Sequence, residues 1–278
     1  MTPYDFTRVC ERLARDPLVR IQHNEIAVPL YVKETPVVVY VKSTGTKEKP
    51  SFVVSCDNEQ HKEEAIARIS HIFHWDRSLA PIHDHFMQTN LRDLFIAHEG
   101  TPIVLEFDLY FCLIKCIIHQ QIHMKVAYRL TERFVHTFGE RLGDLYIYPR
   151  PERIANASYD ELRALSLSER KAQYIVDISR LIVEGKLRLE EMHSLSDEEV
   201  AKQLLSIRGI GPWTVQNFLL FGLGRPNVFP KGDVGLQRAI ERWFQLDHRP
   251  TAKEMDEFRQ MWEPYASYAT FYLWRSIE

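Results

Sequence analysis

The stretch "LLSIRGIGPWTVQ", residues 204–216, constrains the fold more than any other. An apolar, helix-forming run is cut by Gly209 and Gly211, and a second such run starts at once with Pro-Trp-Thr. A chain with only 11 glycines in 278 residues places two of them here. Glycine enters positive φ without the steric cost other residues meet. Pro212 has the backbone angle that the first position of a helix requires. Upstream, Ser196 and Glu199 have the spacing of a capping box, in which the hydroxyl takes the N3 amide and the Glu reaches back to the cap amide. The stretch therefore predicts helix, tight reversal, helix. A phosphate backbone can approach closely where the glycines have no side chains, and the free amides of the second helix can donate to its oxygens. On this stretch alone, a plain corner between two helices fits as well.

The rest of the chain changes character along its length. Residues 18–56 hold β-branched runs, "PVVVYVK" and "SFVVSC", separated by the turn-forming "STGTKEKP", which predicts a small antiparallel sheet. "QHKEEAIARISHIFHWD" follows as an amphipathic helix with Ala65, Ile69 and Ile72 on one face. Near Pro102 strand alternation gives way to helical periodicity. "IVLEFDLYFCLIKCII", residues 103–118, contains Glu106, Asp108 and Lys115 and is expected to be a buried helix rather than a membrane span. Four capping-box spacings recur downstream: Ser158 with Glu161, Ser166 with Glu169, Ser196 with Glu199, and Thr251 with Glu254. The expected class is α+β, with a β-rich accessory domain over residues 1–102 and an all-helical domain over 103–278. The opening "MTPYDFTRVCERLARD" has no basic stretch followed by an apolar core, so a cytoplasmic protein with no membrane association is expected.

Charge and ligand chemistry narrow the function. The net charge is −3, yet Ala201–Arg242 carries Lys202, Arg208, Arg225, Lys231, Arg238 and Arg242 against Asp233 and Glu241, a local +4. Such local patches, rather than the total, are the footprint of nucleic-acid binding; a solvated helical face would look the same by charge alone. The cysteines, Cys10, Cys56, Cys112 and Cys116, form no CxxC pair, so zinc-ribbon and cluster spacings are absent and core thiols are expected. His83 and His85 flank Asp84 in "IHDHF", but histidines two apart do not share a helix face, and no transition-metal site is expected.

The stretch after the hairpin sharpens the reading. "GRPNVFPKGDVGLQRAI" puts Asp233 after a Pro-Lys-Gly turn, at the mouth of another helix, where a carboxylate can also serve as an N-cap. Hairpin, Pro-x-Gly-Asp turn and the C-terminal "MWEPYASYATFYLWRS" occur in that order. Together they resemble the helix-hairpin-helix DNA glycosylase superfamily, and most closely the DNA-3-methyladenine glycosylase II family. "FDLYFCLIKCIIHQQIHMKVAYRLTERFVHTFG" resembles the first core helix and the Gln-Gln turn of that family, and "LSERKAQYIVDISRLIVEGKL" its linking helices. The likeness covers residues 103–278, and the N-terminal sheet fits the accessory domain.

The resemblance implies an enzyme that flips alkylated bases, of the 3-methyladenine and 7-methylguanine type, out of duplex DNA and hydrolyses their N-glycosidic bonds in base-excision repair. Asp233 falls on the catalytic aspartate. Trp213 stands where bifunctional relatives carry a lysine, and an indole forms no Schiff base, so a monofunctional glycosylase is implied. Trp213 and Trp274 match the aromatic walls of the base pocket. Gln121 matches the wedge that fills the vacated duplex position, with Gln120 beside it. Arg208, Gly209, Gly211 and Thr214 match the phosphate-binding hairpin. The carbonyls of Leu205, Ile207 and Ile210 match a site for a monovalent cation, Na+ or K+, and no other cofactor is implied. Asn217 and Val234 depart from the tyrosines some members carry at those positions, which leaves the breadth of base acceptance open. The partner implied is double-stranded DNA, approached by a monomer. The rival readings are a non-catalytic binder of damaged DNA and a glycosylase for oxidised or deaminated bases.

Overall fold

The structure is a computed structural model and describes residues 2–277. Helix α1 (Phe6–Leu13) starts at Asp5, whose side chain accepts from the Arg8 amide. Strands β1 (Arg20–Gln22), β2 (Glu25–Val32), β3 (Thr35–Ser43) and β4 (Phe52–Cys56) then form an antiparallel meander in the order β1-β2-β3-β4. Val28 pairs with Val39 and Leu30 with Val37, and all four are buried. Helix α2 (Lys62–Ile72) buries Ala65, Ile69 and Ile72 on the expected face. Two short helices follow, α3 (Ala80–Phe86) and α4 (Arg92–Ala97).

Beyond residue 102 the chain is mainly helical, as its periodicity predicts. Helix α5 (Leu109–His119) buries nine of its eleven residues. It begins later than expected: residues 103–108 run outside any helix, because the Asp108 side chain caps the Phe111 amide while the Leu105 and Glu106 amides pair with the carbonyls of Ile72 and Phe221. Helix α6 (Met124–Phe138) leads into a hairpin that the periodicity did not announce, β5 (Glu140–Leu142) with β6 (Leu145–Ile147). Leu145 of β6 packs on Ala27 and Val38, so this hairpin covers the outer face of the sheet.

Helices α7 (Pro151–Ala155), α8 (Tyr159–Ala164) and α9 (Glu169–Val183) follow. The capping boxes at Ser158, Ser196 and Thr251 form as predicted. The one expected at Ser166 does not: Ser166 sits at φ +70, and Ser168 caps α9 instead, accepting from Lys171. A left-handed residue ends the preceding turn, and the hydroxyl two positions on inherits the cap. Helices α10 (Asp197–Leu205), α11 (Pro212–Asn217), α12 (Val234–Trp243), α13 (Ala252–Trp262) and α14 (Ala266–Ser276) complete the chain.

One hydrophobic core runs through both halves of the chain. Phe95 of α4 packs on Tyr272 of α14 with ring centroids 4.5 Å apart. The Tyr272 hydroxyl donates to the Thr101 carbonyl and the Trp262 indole to Asn90. Cys112 and Cys116 are buried free thiols. No described helix is long and apolar enough to cross a membrane.

A buried ion cluster joins α1's trailing turn to α5. Lys115 Nζ lies 2.8 Å from Asp16 and 3.0 Å from Glu106. Burial pushes the Asp16 carboxyl up, but the Lys115 charge, its hydrogen bond and the Leu18 amide outweigh that and leave it below its usual range. A depressed folded-state pKa adds stability above the unfolded-state value and loses it as pH falls through the depressed one. Asp16→Asn should therefore destabilise the protein at neutral pH by about 2 kcal/mol, the worth of a hydrogen bond to a charged group. Urea unfolding at pH 7 and pH 3 should show the difference from wild type shrinking at the acid end.

Candidate active site

Asp233 is the N-cap of α12, and its Oδ1 accepts the Leu236 amide at 2.7 Å. That capping role does not exhaust the carboxylate. The Trp213 indole N–H donates to Oδ2 at 2.7 Å, and the Trp274 indole N–H donates to Oδ1 at 3.0 Å. All three partners are donors, which suits a group that only accepts when ionised. The residues that the resemblance pairs as acid and aromatic walls are thus one hydrogen-bonded unit, drawn from α11, α12 and α14.

Several features of this unit were not legible in advance. Gly235 lies on the first turn of α12, and a Cβ there would sit 3.0 Å from Asp233 Oδ1 and 3.5 Å from Trp274 Nε1. The glycine two places after the aspartate, in "GDVG", was the available signal. Phe221 stacks on Trp274, with centroids 6.1 Å apart and planes 21° apart. It is placed there by a π-helical turn, Phe218–Gly222, that continues α11; such turns concentrate at functional sites. Arg12 of α1 lies over the Phe221 ring at 4.8 Å and over Phe271 at 4.7 Å. Asn217 is buried and donates to the Trp213 carbonyl, while Val234 is exposed.

The hairpin between α10 and α11 forms as expected, but its two glycines differ. Gly209 adopts φ +95, and a Cβ there would lie 2.3 Å from the Tyr174 ring. Gly211 is extended at φ −109, ψ 176, with nothing within 4 Å of where a Cβ would stand. The first glycine makes the turn; the second leaves open space before the amides of Trp213 and Thr214. Arg208 is exposed and lies over the Tyr174 ring at 5.6 Å. Thr214 is buried, and its hydroxyl accepts from Gln120 Nε2 at 2.9 Å; its amide is one of those at a helix start that the helix itself leaves without an acceptor. Gln120 Nε2 also donates to the Gly209 carbonyl at 3.0 Å. Gln121 is exposed at φ +54.

The basic patch is less uniform than its composition. Arg225 is turned inward onto the carbonyls of Met192, His193 and Leu195 and pairs with Asp197, and Lys231 pairs with Asp256. Arg208 and Arg238 remain exposed near the hairpin and α12. Leu205 closes α10, where carbonyls point off the negative end of the helix, and the chain turns back through Ile207 and Ile210. The Ile207 carbonyl accepts the Ile210 amide at 3.1 Å within that turn. Among the described residues, no group of three or more His, Cys, Asp or Glu is placed to hold a metal ion.

The contrast between the glycines is testable by stability alone. Gly209→Ala combines a positive φ with a clash and should cost about 2–4 kcal/mol. Gly211→Ala should stay within about 0.5 kcal/mol of wild type. Denaturant midpoints measure both, and equal effects would mean that the hairpin turns differently.

Residues 114–264 match the HhH-GPD superfamily of base excision DNA repair proteins. The chain is 49% identical to a putative DNA-3-methyladenine glycosylase of Bacillus subtilis, over 99% of this chain and 96% of that one. Its structure is similar to a 3-methyladenine DNA glycosylase of Archaeoglobus fulgidus, with a TM-score of 0.88 and 26% identity over 99% of this chain and 95% of the other. It is also similar to the 3-methyladenine DNA glycosylase of Schizosaccharomyces pombe in complex with abasic DNA, with a TM-score of 0.63 and 28% identity over 72% of this chain and 96% of that one. With hairpin, following aspartate and C-terminal helix arranged as above, the chain belongs to the HhH-GPD superfamily.

Proposed function

We propose that this protein is a monofunctional DNA-3-methyladenine glycosylase. It flips alkylated purines out of duplex DNA, hydrolyses the N-glycosidic bond and leaves an abasic site. The observation that carries this reading is the carboxylate of Asp233 held by two indole N–H groups and one amide. A pure damage binder gains nothing from a carboxylate facing an anionic backbone. A glycosylase needs one where positive charge develops on the sugar.

The chemistry follows from that placement. As the bond from C1′ to the base nitrogen lengthens, the sugar becomes oxocarbenium-like, and a fixed negative charge stabilises it without reorganising. Water then adds at C1′, and its proton passes to solvent or to Asp233. Methylation at N3 of adenine or N7 of guanine puts a positive charge on the base, which departs as a neutral leaving group. Trp213 supplies no amine, so no Schiff base forms and the strand is not nicked. The faces of Trp213 and Trp274 attract the cationic base by about 1–2 kcal/mol when desolvated, and Phe221 backs the second of them.

Flipping costs a few kcal/mol, and something must fill the gap. Gln121, exposed at the turn between α5 and α6, is the wedge in this reading. The amides of Trp213 and Thr214, with Arg208 and the open surface at Gly211, grip a phosphate. A sodium or potassium ion on the carbonyls of Leu205, Ile207 and Ile210 would bridge to another phosphate oxygen. Residues 1–102 act as an accessory domain whose Arg12 props Phe221. The protein works as a monomer in the cytoplasm.

A panel of duplexes carrying 3-methyladenine, 7-methylguanine, hypoxanthine, 1-methyladenine or 8-oxoguanine tests the reading. The protein should release the methylated purines and leave sites that break only on alkaline treatment. Binding without release would favour the damage binder. Release of 8-oxoguanine alone, or enzymatic nicking, would favour the oxidised-base alternative.

A further inference from the structure

Lys171 and Gln120 make a set of contacts that neither catalysis nor phosphate binding accounts for. Lys171 Nζ, from the first turn of α9, donates to the Ile118 and Gln120 carbonyls, each at 2.8 Å. Both carbonyls lie at the C-terminal end of α5, where the helix itself supplies no donors. The Gln120 side chain reaches the other way, donating from Nε2 to Gly209 at 3.0 Å and Thr214 at 2.9 Å. Tyr174, three residues after Lys171, lies under Gly209, and Arg208 stacks on the same ring. One residue therefore joins α9 through its carbonyl and both arms of the hairpin through its amide. The next residue, Gln121, is held at φ +54. A non-glycine residue persists in that region where its surroundings impose it.

We infer that Gln120 and Lys171 are positioning residues: together they latch the turn carrying Gln121 to the phosphate-gripping hairpin. When the hairpin seats on the backbone, the turn cannot recoil, and Gln121 is driven into the duplex. The inference rests on Gln121 being the wedge, and it adds the device that makes the wedge stiff. Resistance matters because base pairing and stacking push back on the inserted residue. Without the latch, the turn retreats and the flipped state is populated less.

The test uses Gln120→Met and Lys171→Met, which keep side-chain length and remove the donors. Single-turnover release of 7-methylguanine is measured for the lesion paired with cytosine and for the same lesion in a one-nucleotide bulge. Loss of either residue's two bonds should slow release from the paired site about tenfold and leave the bulged site within about twofold, because an unpaired base is cheaper to extrude. Melting temperatures should fall by several degrees, and both variants are assayed well below them. Equal slowing on both substrates, or no slowing on either, overturns the latch. A second readout does not depend on excision: a duplex with a tetrahydrofuran abasic analogue beside 2-aminopurine should brighten on binding wild type and brighten less with either variant. Wild-type protein that brightens this probe but releases no methylated base would contradict the glycosylase reading, and the variants would still decide the latch. Wild-type protein that leaves the probe dark overturns the wedge and the latch with it.

Discussion

The carboxylate of Asp233, held between two indole N–H groups, is the contact on which the rest of this structure converges. Its donors stand 20 residues upstream and 41 residues downstream, so the three meet only when α11, α12 and α14 have packed. Gly235 leaves room for the carboxylate: a Cβ there would press on Asp233 Oδ1 at 3.0 Å while meeting Trp274 at ordinary contact distance. Capping ties the same carboxylate to the start of α12. Fold stability and the placement of the charge thus share atoms, which is why the charge is fixed before any ligand arrives.

A second convergence lies at the hairpin. Gly209 lets the chain reverse over Tyr174, while Gly211 stands beside open space at the start of α11. Gln120 and Lys171 extend that rigid unit to the turn bearing Gln121. The Trp213 indole leaves the same short helix, α11, whose first amides have no acceptor within the helix. In the proposed reading, phosphate grip, wedge and carboxylate are thus linked through about one turn of helix. A glycosylase needs such coupling because binding energy from the backbone must be delivered to a base that resists leaving the stack.

Much of this was legible in residue order, and the rest depended on contacts that order does not encode. The paired glycines with Pro212, the Asp233 turn and the β-branched runs declared the hairpin, the following helix and the sheet, because each rests on local backbone chemistry. The β5–β6 hairpin was missed because it is three residues a side and is held by packing on the sheet. The start of α5 was placed too early because hydropathy does not distinguish an extended buried segment from a helix; the cap at Asp108 decides it. Trp213 and Trp274 were read as aromatic faces. That their N–H groups also address Asp233 required the fold. Lys171 and Tyr174 looked like ordinary helix residues, since their partners lie across the hairpin.

The central claim, that Asp233 supplies charge to the transition state and not merely a cap to a helix, is tested most directly by Asp233→Asn. Asn caps about as well as Asp, but one of its two polar atoms becomes a donor facing an indole N–H. A stability loss of about 1–2 kcal/mol is expected on that account. The decisive measurement is single-turnover release of 3-methyladenine, set beside binding to an abasic-site analogue. A rate lower by about a hundredfold or more, in folded protein that still binds the analogue, is the expected result. Release at close to the wild-type rate would contradict it.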